Sequence, residues 1–110
     1  MSEHDEQAAV IDYCDAKSIP VFAIPNASRR SPAAANYMKA EGLRPGVPDL
    51  CIPRAHGEYH SLYIEMKHGR GKPTEEQVRW IHALRAEGMA AFVCYGASNA
   101  IACIDWYMSL

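Results

Sequence analysis

The 110 residues are enough for one domain with one core, and a hydrophobic fraction of 49% excludes an intrinsically disordered chain. No apolar run approaches the roughly 20 residues of a membrane span, and Glu3, Asp5 and Glu6 do not suit a secretory leader, so a soluble, cytoplasmic protein is expected. The formal charge of −2 hides an asymmetry: residues 1–25 carry five acids and one base, whereas residues 26–85 carry ten bases and six acids. A basic middle is compatible with a polyanionic partner, although solvated lysines and arginines are also ordinary protein surface.

The chain shows no internal repeat, low-complexity tract or linker. Ser2 followed by Asp5 resembles a capping box, and Gln7, Val10, Ile11 and Cys14 recur at helical spacing, predicting a helix from Glu3 to about Lys17. Pro20 and the run Val21 to Pro25 predict a short strand. Asn26 to Pro32 reads as a polar loop carrying Arg29 and Arg30. Ala33 to Glu41 has helix-forming composition and stops at Gly42. The turn cluster Pro45-Gly46-Val47-Pro48 leads into a short apolar strand, Asp49 to Ile52.

Residues 54–60 make a polar connection centred on Gly57, and Ser61 to Lys67 then alternates strictly. Leu62, Ile64 and Met66 share one face of that strand, and Tyr63, Glu65 and Lys67 share the other. His68 to Pro73 is a glycine-rich basic loop. Thr74 with Gln77 forms a second capping box, opening a helix expected to bury Gln77, Trp80, Ile81 and Leu84 and to end at Gly88. Ala90 to Tyr95 is a strand, and Ala97 to about Met108 a closing helix. The fold class predicted is α/β in the order α-β-α-β-β-α-β-α, a mixed sheet with helices on both faces.

The cysteines, Cys14, Cys51, Cys94 and Cys103, show no C-x-x-C pair and sit among apolar neighbours, which reads as buried, reduced thiols. The five histidines have no ligand spacing with them, so a zinc site is disfavoured. His68 stands out among the histidines only because it follows Lys67.

Asp49 begins one strand directly after a proline, while Glu65 and Lys67 lie two residues apart near the end of the next. If the strands pair as a hairpin, all three converge at one edge of the sheet. Two carboxylates with nearby backbone carbonyls make a hard-oxygen site suited to Mg²⁺ or Mn²⁺. Such an ion polarises a phosphoryl oxygen and lowers the pKa of the attacking water, and Lys67 can hold that water or stabilise the developing charge. Taken alone, a Glu-x-Lys pair also describes an exposed salt-bridged face, and Pro-Asp an ordinary turn. The strand pair, the spacing and the basic loop occurring together favour a site.

The ordered string Gly46-Val47-Pro48-Asp49-Leu50, Tyr63-Ile64-Glu65-Met66-Lys67 and Thr74-Glu75-Glu76-Gln77-Val78-Arg79-Trp80-Ile81 resembles the VRR-NUC family. That family lies within the PD-(D/E)XK superfamily of restriction-endonuclease-like nucleases, and the resemblance covers almost the whole chain. It implies a restriction-endonuclease-like core, dependence on Mg²⁺ or Mn²⁺ and hydrolysis of DNA phosphodiesters. It further implies that Asp49 and Glu65 are metal ligands, with the Met66 carbonyl a third, and that Lys67 is the catalytic lysine. A glutamate on the first helix is expected near the metal. Glu3, one turn before Gln7 on the inward face, fits best, and Glu6 is the alternative; both acids would in any case suit the positive end of the helix dipole.

Gln77 is either the reciprocal half of its capping box or a supporting residue beside the active-site lysine, as in related nucleases, and Gln7 poses the same choice. Arg29, Arg30, Arg70 and Lys72, in two polar loops, are candidates for phosphate contacts. A chain of this length leaves no room for a separate DNA-binding domain, which disfavours sequence-specific cleavage. Stand-alone members of the family, of the phage type, resemble structure-selective nucleases acting as homodimers. A two-fold dimer suits cutting both strands of a Holliday junction or other branched DNA. Ile101, Ile104, Trp106 and Tyr107 of the closing helix offer apolar surface for the interface, or for the chain's own sheet, the reading favoured for Ile101 and Ile104. The alternatives are a nuclease or exonuclease acting on linear DNA, and a non-catalytic DNA-binding subunit.

Overall fold

The computed structural model describes residues 1–25 and 31–110, with the elements in the expected order. They are α1 (Glu3–Ala16), β1 (Phe22–Ala23), α2 (Pro32–Ala40), β2 (Leu50–Ile52), β3 (Leu62–Lys67), α3 (Glu75–Ala86), β4 (Ala90–Tyr95) and α4 (Gly96–Met108). Arg29 and Arg30 lie outside the described residues.

Local chemistry sets the helix starts. The Ser2 hydroxyl accepts from the Asp5 N–H at 3.1 Å and the Asp5 carboxylate accepts from the Ser2 N–H at 3.2 Å, so both halves of the α1 capping box are made. Helix α2 begins at Pro32, one residue earlier than composition suggests, because Ser31 caps it and proline is pre-set for the first helical position. Its end follows the glycine rule, with Gly42 at φ +107°.

The sheet runs β1-β2-β3-β4, antiparallel between β1 and β2 and between β2 and β3, then parallel between β3 and β4. Leu50 pairs with Ile64 and Ile52 with Leu62, which places the core face of β2 beside that of β3. Leu62, Ile64 and Met66 are buried on that face against Val10 and Cys14 of α1 and Ile104 and Tyr107 of α4. The Tyr13 hydroxyl donates to the Asp105 carboxylate and ties the two helices to each other. Helix α3 packs on β4, where Arg85 Nε donates to the Ala91 carbonyl at 2.9 Å and the guanidinium lies over Phe92. Cys14, Cys51 and Cys94 are buried and Cys103 partly so, all as free thiols.

Four further details differ from the sequence expectation. Strand β1 has two residues, not the whole of Val21 to Pro25; the Ile24 N–H still reaches the Asp49 carbonyl at 2.8 Å, and Pro25, without an N–H, ends the pairing. Asp49 stands one residue ahead of β2 instead of inside it. Of the α3 residues expected to be buried, only Ile81 is, because α3 covers the outermost strand of the sheet and one stripe suffices; Gln77, Trp80 and Leu84 are half-buried. Tyr107 is fully buried and is no interface residue: its ring lies in the core and its hydroxyl donates to the Arg54 carbonyl at 2.6 Å. Trp106 is the exposed aromatic of α4, packed edge-on against Phe92.

The turn before β2 has little tolerance. Gly46 has φ +88°, and a Cβ there would fall 2.5 Å from the Glu76 carbonyl carbon in the first turn of α3. Gly42 shares the left-handed backbone but has open space around it. Gly46→Ala is therefore expected to cost more than the about 1–3 kcal/mol of a strained φ alone, and Gly42→Ala only that much. Urea unfolding of the two variants checks the difference, and equal losses would show that the turn yields.

Candidate active site

Asp49 occupies the point where the β2–β3 ladder stops. The hydrogen-bonding alternation that pairs Leu50 with Ile64 would next join residue 48 to Met66, but Pro48 has no N–H to give the Met66 carbonyl. The Asp49 side chain takes over instead, its Oδ2 accepting from the Met66 N–H at 2.8 Å. Its own carbonyl accepts from Ile24 N–H on the opposite side, so main-chain bonds hold Asp49 from both neighbouring strands. One register step beyond Leu50 and Ile64, Glu65 faces Asp49 and is 4% exposed.

Lys67 and Gln77 close on the same glutamate. Lys67 Nζ lies 3.6 Å from Glu65 Oε2, and Gln77 Nε2 donates to that oxygen at 3.2 Å. The two readings of Gln77 turn out to be compatible. Its Oε1 accepts from the Thr74 N–H at 2.8 Å in the capping box, leaving the amide nitrogen free to hold Glu65. One side chain thus fixes the start of α3 and orients an acid on β3.

Burial and the confronting Asp49 carboxylate push the Glu65 carboxyl up to about 8, with Lys67 opposing. Burial also raises Asp49, against the hydrogen bonds it makes with Met66 N–H and with the Glu65 carboxyl; the nearby Glu3 charge raises it further and Lys67 lowers it. A buried pair in which the Asp49 carboxylate disfavours ionisation of Glu65 is one that a cation would relieve. Among the described residues no three His, Cys, Asp or Glu side chains converge on one metal position. The donors at hand are two carboxylates and a strand carbonyl that Pro48 cannot serve. That set fits a hard divalent ion retaining several waters, and would not make an all-protein cage.

A cavity of about 460 Å³ opens beside Asp49 and is lined by α1 residues Glu3, His4, Gln7, Ala8, Ile11 and Asp12, together with Ile24. Glu3 and Gln7 are therefore in the cavity that contains Asp49. Glu6 is turned elsewhere: its Oε2 would lie 2.8 Å from a Cβ on Gly96 and is 3.8 Å from His68 Nδ1. The structure separates the two glutamates that sequence left as alternatives, with Glu3 on the Asp49 side. Arg70 and Lys72 are exposed on the loop after β3 and do not line this cavity. Sequence reading missed His4, Asp12 and Ile24. The signal for the first two was the 4-8-12 stripe, which runs beside the 3-7-11 stripe.

A mixed sheet flanked by helices, with two acids and a lysine at the end of an antiparallel strand pair, defines an α/β fold with a restriction-endonuclease-like core. The VRR-NUC domain family model matches residues 20–98, and the chain belongs to that family, a nuclease-type domain. A solved structure described as a VRR_NUC domain protein is 30% identical and superposes with a TM-score of 0.87, the match covering 100% of this chain and 90% of that one. No curated protein matches the chain in sequence.

A carboxyl whose folded pKa is raised binds more protons folded than unfolded, so its contribution is present below the ordinary 4.5 and lost as pH rises through about 8. In EDTA, Tm is expected to fall by several degrees across that window. Glu65→Gln should flatten the dependence. An unchanged slope in that variant, measured by thermal melts from pH 5 to 9, would place its source elsewhere.

Proposed function

We propose that this chain is a divalent-metal-dependent deoxyribonuclease that hydrolyses phosphodiester bonds in branched DNA, Holliday junctions included, and works as a homodimer. The observation that carries the reading is the facing pair of Asp49 and Glu65 with Lys67 at 3.6 Å, set on a fold shared with VRR-NUC domains. Asp49, Glu65 and the Met66 carbonyl would hold Mg²⁺ or Mn²⁺, with Glu3 contributing from across the cavity. When bound, the ion supplies Lewis acidity toward the phosphoryl oxygen and a lowered pKa for the attacking water.

The remaining roles belong to the side chains. The Met66 N–H and Ile24 N–H fix Asp49, and Gln77 fixes Glu65, so the acids keep their positions without help from solvent-exposed groups. Lys67 carries a positive charge beside the acids, where it can orient a water or stabilise the charge that develops at phosphorus. Arg70 and Lys72, exposed on the following loop, are placed to meet neighbouring phosphates and add affinity without reading sequence. The basic middle of the chain favours DNA as the polyanion.

Cleavage of a four-way junction, a flap, a single strand and a blunt duplex, each in Mg²⁺ and in Mn²⁺, tests the proposal. Asp49→Ala is expected to remove activity, and Lys67→Ala to lower kcat by about 10²–10³-fold, the cost of losing one group that stabilises a transition state. Measurable cleavage by folded Asp49→Ala, or cleavage at the wild-type rate by folded Lys67→Ala, would sink the site assignment. A gel shift with no cleavage by the wild type in either metal would favour the non-catalytic binding reading. Light scattering at working concentration addresses the dimer, and a monomer that still cuts both strands of a junction would count against it.

A further inference from the structure

A second concavity, of about 340 Å³, lies between the turn before β2 and the outer side of α3. Glu76, Arg79, Trp80 and Ala83 line it from α3, at the i, i+3, i+4 and i+7 positions of one stripe, and Arg44 and Pro45 face them. This stripe lies beside the one that buries Ile81, and Trp80 is half-buried with its indole forming part of the cavity wall.

The two arginines differ in how they are held. Arg44 Nη1 donates to the Lys39 carbonyl at 3.2 Å and the Leu43 carbonyl at 3.4 Å at the end of α2, which positions the guanidinium and leaves its other donors for a ligand. Arg79 has an exposed partner, Glu75, at 3.8 Å, an ion pair that solvent and salt readily exchange. The cavity thus combines an aromatic wall, apolar contacts from Pro45 and Ala83, and two guanidiniums. Glu76 on the same wall can accept from a base amino group and repels a phosphate, leaving the phosphate to the arginines.

Two short chain connections join this cavity to the carboxylate site. The segment that begins at Arg44 reaches Asp49 five residues later, and Gly46 packs directly on Glu76, whose neighbour Gln77 holds Glu65. A flat aromatic surface beside guanidiniums is the chemistry that takes an unstacked base and its phosphate, and the volume falls within the 300–1,000 Å³ of small-ligand sites. We propose that the cavity holds one unpaired nucleobase of a DNA strand, stacked on Trp80, with the adjoining phosphate at Arg44 and Arg79. The proposal rests on the nuclease reading and adds to it a preference for substrates with a single-stranded segment next to the cut.

The test separates binding from cleavage. Trp106→Phe leaves Trp80 as the sole indole of a chain with two tryptophans, and a six-nucleotide single-stranded DNA is titrated in EDTA. Saturable quenching of Trp80 is expected, with a blunt duplex of equal strand length a poor competitor. By anisotropy of the labelled oligonucleotide, Trp80→Leu, which keeps apolar bulk but no stacking face, should raise Kd by at least about five-fold. Arg44→Ala, an exposed change that spares the core, should raise it several-fold. The same two substitutions should lower the ratio of tailed-duplex to blunt-duplex cleavage. A silent Trp80, or a Kd that neither variant moves, overturns the proposal, and is also what a pocket for a protein side chain would give. If the wild type cuts DNA and the ratio stays fixed in both variants, the base pocket fails while the nuclease reading stands. If the wild type quenches and cuts nothing, the pocket stands and the nuclease reading fails.

Discussion

Two acids face each other across the last step of the β2–β3 pairing, and most of the local architecture serves to hold them there. Confronting carboxylates away from water is unfavourable, as the raised Glu65 carboxyl records. The fold does not relax this by letting either acid swing out. Asp49 is fixed by main-chain groups on both sides, Met66 N–H at its carboxylate and Ile24 N–H at its carbonyl. Glu65 is fixed by the amide of Gln77 and the charge of Lys67. Pro48 starts this arrangement by interrupting the ladder at the position where a regular strand residue would have paired with Met66.

Strand β3 links the site to the core through its period of two. Leu62, Ile64 and Met66 are buried among α1 and α4, while Glu65 and Lys67 share the other face with Gln77. Shifting the strand by one residue would place two charges in the core and two apolar side chains in the site, so the packing that stabilises the sheet also sets the register of the acids. Helix α3 is coupled to that register from its first turn. The Gly46 turn must pass close to Glu76, and the left-handed backbone available to glycine makes the approach possible.

Much of this was legible in the sequence because it depends on local rules. Element order followed from periodicity and caps, and the convergence of Asp49, Glu65 and Lys67 followed from alternation plus an assumed hairpin, which the Leu50–Ile64 register supplies. What was not legible depends on which neighbour covers which stripe. Tyr107 and Trp106 are adjacent apolar residues on a helix, and only the position of α4 over the sheet decides that the first is core and the second surface. Trp80 has the same ambiguity, and only the position of α3, packed on the edge strand β4, decides that it is half-buried. Gln77 poses a choice in sequence between a capping box and a supporting place beside the active-site lysine; its amide, with separate donor and acceptor atoms, completes the box and also reaches Glu65.

Glu3 and Glu6 show how a helix with two nearby acids can assign them different surroundings. They differ by three residues, about 300° around the helix axis, or 60° taken the short way. That rotation is enough to put Glu3 in the cavity with Asp49 and Glu6 against Gly96 and His68. Gly96 completes the separation, since a side chain there would occupy the space of the Glu6 carboxylate. The His68 imidazole near Glu6 follows Lys67 directly, so the end of β3 is flanked by acids on both sides: Glu65 at the lysine and Glu6 at the histidine. Asp49 and Glu65 are set by the sheet, whereas Glu3 sits in the exposed first turn of α1, where the helix end favours a negative charge. On the proposed reading the rigid pair defines where a cation binds, and the exposed acid can adjust to it without disturbing the core.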